Sequence, residues 1–415
     1  MKRIMVFSIA AAMLFSFTSC GETIQIGGGD STDDTCKSIT LSTKSAQFVR
    51  DGLAFSFDFI DRINAESQKD YIISPLSMQF LLGMILDGAK GETADEICRV
   101  LGYGAGETKA VNEYCLSMLT QLPSLDAKTT LSIADAIFVD DGWPLKSTYK
   151  ADVAKYYNAA VENLKFADSD AALRRINGWA SEHTNGMVPK VLDEVTTDML
   201  AYLLNALYFK SKWTSEFQKT ASVDKPFTDE SGTISTVKMM RQTRDFRYTE
   251  TEVFQAVRLP YGNGAFSMTV LLPLSGHTVY DVCAALKTGG LSFMDAMRFD
   301  EVDLWLPRFE TKFGIKLNDI LSEMGMPSSF DGERADFTAM STFALCLSFV
   351  RQDAAIKVDE EGTEAAAVSS AGMMKNTSVG PGKTIVFHAD HPFLYLITEQ
   401  STGAVLFAGR YAAKK

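Results

Sequence analysis

The stretch VDEEGTEAAAVSSAGMM, residues Val358 to Met374, contains no Pro and, after Glu364, no charge. In extended backbone, successive side chains point to opposite faces. Thr363, Ala365, Ala367, Ser369, Ala371 and Met373 then share one face, and Glu364, Ala366, Val368, Ser370 and Gly372 share the other. The first face is uncharged and mostly small, so it could enter a sheet as an extra strand without carrying a charge into a low-dielectric interior. The same Ala, Ser and Gly content also suits a mobile tether between domains. Composition leaves both readings open.

Sequence further out bears on the choice. Asp359 to Ala367, DEEGTEAAA, resembles the hinge of the reactive-centre loop in the serpin family. Downstream, FHADHPF at Phe387–Phe393 and TGAVLFAGR at Thr402–Arg410 resemble that family's C-terminal strands. Upstream, ISPLS at Ile73–Ser77 with GAKGET at Gly88–Thr93 resembles its early core helix, and NALYFK at Asn205–Lys210 with Trp213 and Phe217 resembles its central strand. LPRF at Leu306–Phe309, Leu321, Met324-Gly325, Phe330 and Ala335-Asp336-Phe337 complete the set. The blocks keep the family's order over roughly residues 50 to 412, and several matches at consistent spacing are specific where one would be weak.

The resemblance implies an α+β serpin fold: one large domain with three β-sheets, eight or nine helices and an exposed loop at about residues 360–384. It implies inhibition of serine endopeptidases, and also of cysteine endopeptidases, through a covalent complex. The target cleaves the loop, forms an acyl-enzyme and is trapped as the loop inserts into the main sheet. The hinge residues would be Glu360, Glu361, Gly362, Thr363, Glu364, Ala365, Ala366 and Ala367. Counting in the family register places the cleaved bond at Asn376-Thr377, with Lys375-Asn376 and Met374-Lys375 as alternatives. Lys375 suits a trypsin-like pocket and Met374 an elastase- or subtilisin-like one. A polar network of Ser74, Ser77, Asn205 and Gln352 is expected where the sheet opens. Gln352 replaces the His of many serpins, but Gln also donates and accepts. A non-inhibitory serpin-fold binding protein is the alternative.

The 415 residues are 46% hydrophobic and 11% aromatic, enough for a large core. The net charge of −12 argues against nucleic-acid binding. No dense Lys or Arg cluster occurs around residues 105 to 160, where some serpins bind glycosaminoglycans, so no heparin-type activator is expected. A monomer without cofactor is the expected working form.

Lys2 and Arg3 precede an apolar run from Ile4 to Phe17, too short to span a bilayer, that ends in Thr18-Ser19-Cys20. This reads as an export signal over residues 1–19, and Cys20 after small residues resembles a bacterial lipoprotein cleavage box, although Phe17 departs from the commoner Leu. Acylated Cys20 would anchor the protein in the cell envelope, at the periplasmic face or the cell surface. Residues 20–44 are then an acidic tether and the folded domain spans 45–415. The six cysteines, at 20, 36, 98, 115, 283 and 346, are too sparse for a disulfide scaffold. Burial as small apolar residues is the expectation for most of them.

Periodicity gives a helix within Gln47–Ile63, although Phe55, Phe57 and Phe59 also alternate as in a strand. Met78–Leu86, Ala94–Leu101 and Val282–Leu286 read as helices; Leu203–Tyr208, Phe266–Leu272, Val302–Leu306 and Phe343–Val350 read as strands. Two other patterns point to different chemistry. Ser147-Thr148-Tyr149-Lys150, Tyr261-Gly262-Asn263 and Lys287-Thr288-Gly289 match the short motifs of penicillin-recognising serine enzymes, but the last follows a helical stretch instead of lying on a strand. His388, Asp390 and His391 are a conceivable metal cluster, yet extended backbone would send the two histidines to opposite faces. Neither reading is adopted, and Asn376-Thr377-Ser378 reads as a chance glycosylation sequon.

Overall fold

A computed structural model describes residues 35–197, 199–363 and 384–414. Residues Thr35–Lys415 cluster as one compact unit. Eight helices are α1 (Thr43–Glu66), α2 (Pro75–Gly88), α3 (Gly91–Leu101), α4 (Thr108–Gln121), α5 (Ser147–Tyr157), α6 (Ser169–His183), α7 (Val279–Gly289) and α8 (Asn318–Met324), among the described residues. The strands are β1 (Tyr71–Ile73), β2 (Thr130–Asp140), β3 (Ala160–Leu164), β4 (Ala201–Lys212), β5 (Val223–Thr228), β6 (Ile234–Glu250), β7 (Phe254–Tyr261), β8 (Phe266–Pro273), β9 (Arg298–Pro307), β10 (Phe309–Lys316), β11 (Val350–Val358), β12 (Gly362–Thr363), β13 (Ile385–His388), β14 (Phe393–Glu399) and β15 (Val405–Tyr411).

Local signals explain several boundaries. Ser42 caps α1 by accepting the Ser45 N–H, and Ser74 caps α2 the same way ahead of Pro75 at the first turn. Phe55, Phe57 and Phe59 alternate yet lie on α1, and all three are buried because α1 packs against several helices at once. Helix α2 is buried along nearly its whole length and forms the centre of the main core. Helix α3 stops at Gly102, whose left-handed backbone (φ 76°) suits glycine. Packing reaches back past residue 45: Ile39 is buried, and its N–H donates to Ser401 Oγ.

The strands form a six-stranded sheet in the order β10-β11-β12-β4-β2-β3 and a nine-stranded sheet. The latter joins two of the three expected sheets. Its long strand β6 pairs β9 over Met239–Tyr248 and β7 over Arg247–Glu250, so one ladder runs through both. The face of β4 carrying Leu203, Leu207 and Phe209 packs into the main core. The face carrying Tyr202, Leu204 and Ala206 forms a second core with Trp179 and Ile176 of α6.

One expected strand is displaced. Phe343–Phe349 makes no ladder, and the strand begins at Val350. Leu345 and Leu347 are buried beside Ile137, Val139 and Leu203, so their alternation reflects packing of a loop. Leu347 N–H bonds Ser329 O, which is not a strand partner.

Candidate functional site: the loop hinge and the sheet centre

The chemistry of interest lies between β4 and β11. These strands pair directly, in parallel, over five residues, from Val350↔Leu203 to Ala354↔Leu207. Beyond that point they separate, and Gly362–Thr363 sits between them, antiparallel to both: Gly362↔Lys212, Thr363↔Ser211 and Val358↔Thr363. Gly362–Thr363, the described end of the expected hinge, thus forms a short strand between them.

Several contacts hold this wedge. A tight turn closes from Asp359 N–H to Gly362 O at 2.9 Å. Trp213 N–H donates to Glu361 O at 2.9 Å, Trp213 Nε1 to Asp359 O at 2.9 Å, and Phe217 N–H to Glu360 O at 2.8 Å. The Trp213 ring stacks on Tyr261 at 4.4 Å, and the Tyr261 hydroxyl shares a 2.7 Å hydrogen bond with Thr363 Oγ1. Glu360 and Glu361 are buried with partners: Ser222 Oγ donates to Glu360, and Lys219 Nζ donates to Glu361. Gly362 is required by close approach, since a Cβ there would lie 2.2 Å from Ser211 O.

At the other end of the gap, the four polar residues expected together do meet. Gln352 Oε1 accepts the Ser74 N–H at 2.8 Å, and Gln352 Nε2 donates to Ser74 O at 3.0 Å and Asn205 Oδ1 at 2.8 Å. Asn205 Nδ2 donates to Ser77 Oγ and, at 2.7 Å, to Asp135 Oδ1. Asp135, on β2 opposite Asn205, is a member that sequence reading missed. Burial pushes its carboxyl up to about 7, against the lowering effect of the Asn205 hydrogen bond. Its Oδ2 is buried without a partner among the described residues. A lone acid in a strand pattern gives no signal until the pairing partner is known; Ser211 escaped notice for the same reason, and Tyr261 was noticed only as part of an enzyme-like motif.

The remaining expected residues separate. Glu364, Ala365, Ala366, Ala367, Met374, Lys375, Asn376, Thr377 and Cys20 lie outside the described residues. His388 Nε2 pairs with Asp303 at 3.2 Å, whereas His391 is held between Asp390 (2.9 Å) and Pro273 O (3.0 Å). Among the described residues no cluster suited to a metal ion occurs. Lys287 ends α7 and binds Asp58 and Asp61, both at 2.9 Å. Lys150 Nζ on α5 instead donates to Asn163 Oδ1, so the penicillin-enzyme motifs do not converge. Cys98, Cys115 and Cys283 are buried, Cys346 is half-buried and Cys36 is exposed; all five are free thiols.

The two-residue strand β12 wedges between β4 and β11, which run parallel to each other, and the buried polar cluster lies where those two pair directly. The family model described as Serpin (serine protease inhibitor) matches residues 52–413. Serpin B6 of Macaca fascicularis is 31% identical over 368 residues, covering 86% of this chain and 97% of its own length. A serpin-like protein of Thermococcus kodakarensis is 31% identical over 360 residues, covering 86% and 83%. Among solved structures, native tengpin, a thermophilic serpin, superposes with TM-score 0.80 at 26% identity, covering 91% and 96%. Human thyroxine-binding globulin, complexed with its hormone, shares the fold (TM-score 0.81, 24% identity, 89% and 98% covered). The chain belongs to the serpin family.

Proposed function

We propose that this protein inhibits serine endopeptidases by trapping them as acyl-enzymes. The wedge at Gly362–Thr363 carries the reading. If the loop inserted in the same registers, Ser369 would lie opposite both Asn205 and Gln352, and Met373 opposite Ala201 at the start of β4. Insertion would break one ladder of five direct pairs and build two new ladders, one on each side of the incoming strand. Backbone pairing therefore favours the inserted state. Small Ala365, Ala367 and Ala371 would enter the face toward the main core without overpacking. About twelve residues at about 3.3 Å each carry the attached protease roughly 40 Å. That displacement pulls the target's oxyanion hole and base out of register with the ester, so deacylation stalls.

Cleavage falls at Asn376-Thr377 in this reading, or at the neighbouring bonds of Lys375 and Met374. The test is incubation with trypsin-, elastase-, chymotrypsin- and subtilisin-like proteases, followed by denaturing electrophoresis and mass determination of the released C-terminal peptide. A complex resistant to denaturant supports the reading, and the peptide mass gives the bond. Clean cleavage by every protease with no complex would favour the non-inhibitory alternative, for which thyroxine-binding globulin is a precedent of the fold. Acylation at Cys20 and an envelope location belong to the same proposal. Labelled palmitate should enter the wild-type chain expressed in a lipoprotein-processing bacterium and not Cys20→Ser.

A further inference from the structure

On the nine-stranded sheet, Arg247 of β6 and Arg258 of β7 lie directly opposite each other. Like charges in that position destabilise a sheet. Both line a cleft of roughly 260 Å³, floored by Trp213 and Leu259. Arg258 is only partly exposed, and its guanidinium is held by neutral partners: Nε donates to Ser267 Oγ at 2.8 Å and one terminal nitrogen to Gln400 Oε1. Its other terminal nitrogen has no hydrogen bond among the described residues. Arg247 lies 4.8 Å above the ring of Phe299, which is 67% exposed.

Neither guanidinium has a carboxylate within 4.0 Å among the described residues. Glu399 stands nearby, but its oxygens accept the N–H and hydroxyl groups of Ser401 and Thr402. Asp245 borders the cleft, is exposed and pairs with no arginine. Burial and the neighbouring Arg247 charge both disfavour protonated Arg258, as expected for a cation lacking its counterion. A fixed, partly desolvated guanidinium beside a stacked one presents forked donors suited to a planar anion. The apolar lining and the exposed ring suit an attached hydrocarbon, and the volume, just under the usual range of ligand sites, suits a small one.

We propose that this cleft binds a small organic anion, a carboxylate or sulfonate carried on an apolar ring, with the anionic group bridging Arg247 and Arg258 and the ring against Phe299. The proposal is independent of the inhibitory reading. It is tested by calorimetric titration of the full chain with 2-naphthoate and with neutral 2-naphthamide. Saturable single-site binding of naphthoate is expected, at least tenfold tighter than the amide, and weakened at least tenfold in Arg247→Gln and in Arg258→Gln. Arg247 is exposed, so its variant should fold; its melting temperature should rise when the repulsion is removed, and naphthoate should stabilise only the wild type. Equal binding of acid and amide would overturn the proposal, as would unchanged affinity in Arg247→Gln or no saturable binding at millimolar naphthoate. Stabilisation by inorganic sulfate without naphthoate binding would overturn it as well.

Discussion

Replacing Asp135 by Asn probes the centre of the sheet with almost no change of shape. In the native protein the Asp135 carboxyl is raised to about 7, chiefly by burial, whereas an unfolded Asp ionises near 3.9. The folded state therefore holds a proton that the unfolded chain releases, and stability falls as pH rises from about 4 to about 7. The full separation of about 3 units corresponds to about 4 kcal/mol. Between pH 5 and pH 8 the loss is about 2.5 kcal/mol, because by pH 5 the unfolded carboxyl has already ionised. Other groups around Asp135 do not mask this: Ser77, Asn205 and Gln352 do not titrate, and burial raises the Cys115 thiol far above this range. Asn at this position has no charge to lose. Urea unfolding of both proteins at several pH values between 5 and 8 should show Asp135→Asn gaining about 2.5 kcal/mol relative to wild type across that range. Parallel pH profiles would refute the placement of a neutral acid at the sheet centre.

Thr363→Arg should abolish the denaturant-resistant complex while leaving loop cleavage intact, since Thr363 is fully buried beside Tyr261; a surviving complex on gels would remove the hinge argument. Ala367→Pro should do the same through the missing backbone donor, measured as moles of inhibitor consumed per mole of protease. Asn205→Ala leaves the Asp135 carboxyl and the Ser77 hydroxyl without their partner, takes one of three hydrogen bonds from Gln352, and should cost about 2–5 kcal/mol in denaturation, far more than an exposed substitution. Lys219→Ala removes the cation that reaches buried Glu361, and a lower urea midpoint than wild type is expected.

The expected hinge and the start of α2 were read from local features. DEEGTEAAA shows small residues and a glycine at fixed spacing, and Ser74-Pro75 shows a helix start. The capping serine, the glycine after α3 and the strand closed by Pro273 also act within a few residues. What misled was alternation that arose from packing, since Leu345 and Leu347 bury themselves in a loop; at Phe55 to Phe59 the helical spacing was the right guide, and the alternation reflects a helix surrounded on several sides. Periodicity records which side chains are hidden and cannot say whether backbone pairs across a ladder.

By itself, then, the sequence determined the serpin architecture and four of the five members of the polar cluster around Gln352, because those depend on residue type and short-range order. Only the tertiary structure decided that Thr363 is already seated between β4 and β11, and that Gly362 answers to the Ser211 carbonyl more than to a turn. It alone brought Asp135 beneath Asn205, and Arg247 opposite Arg258. Each of these is a pairing between strands distant in the chain, and strand register is set by the packing of the whole sheet, which no local pattern encodes.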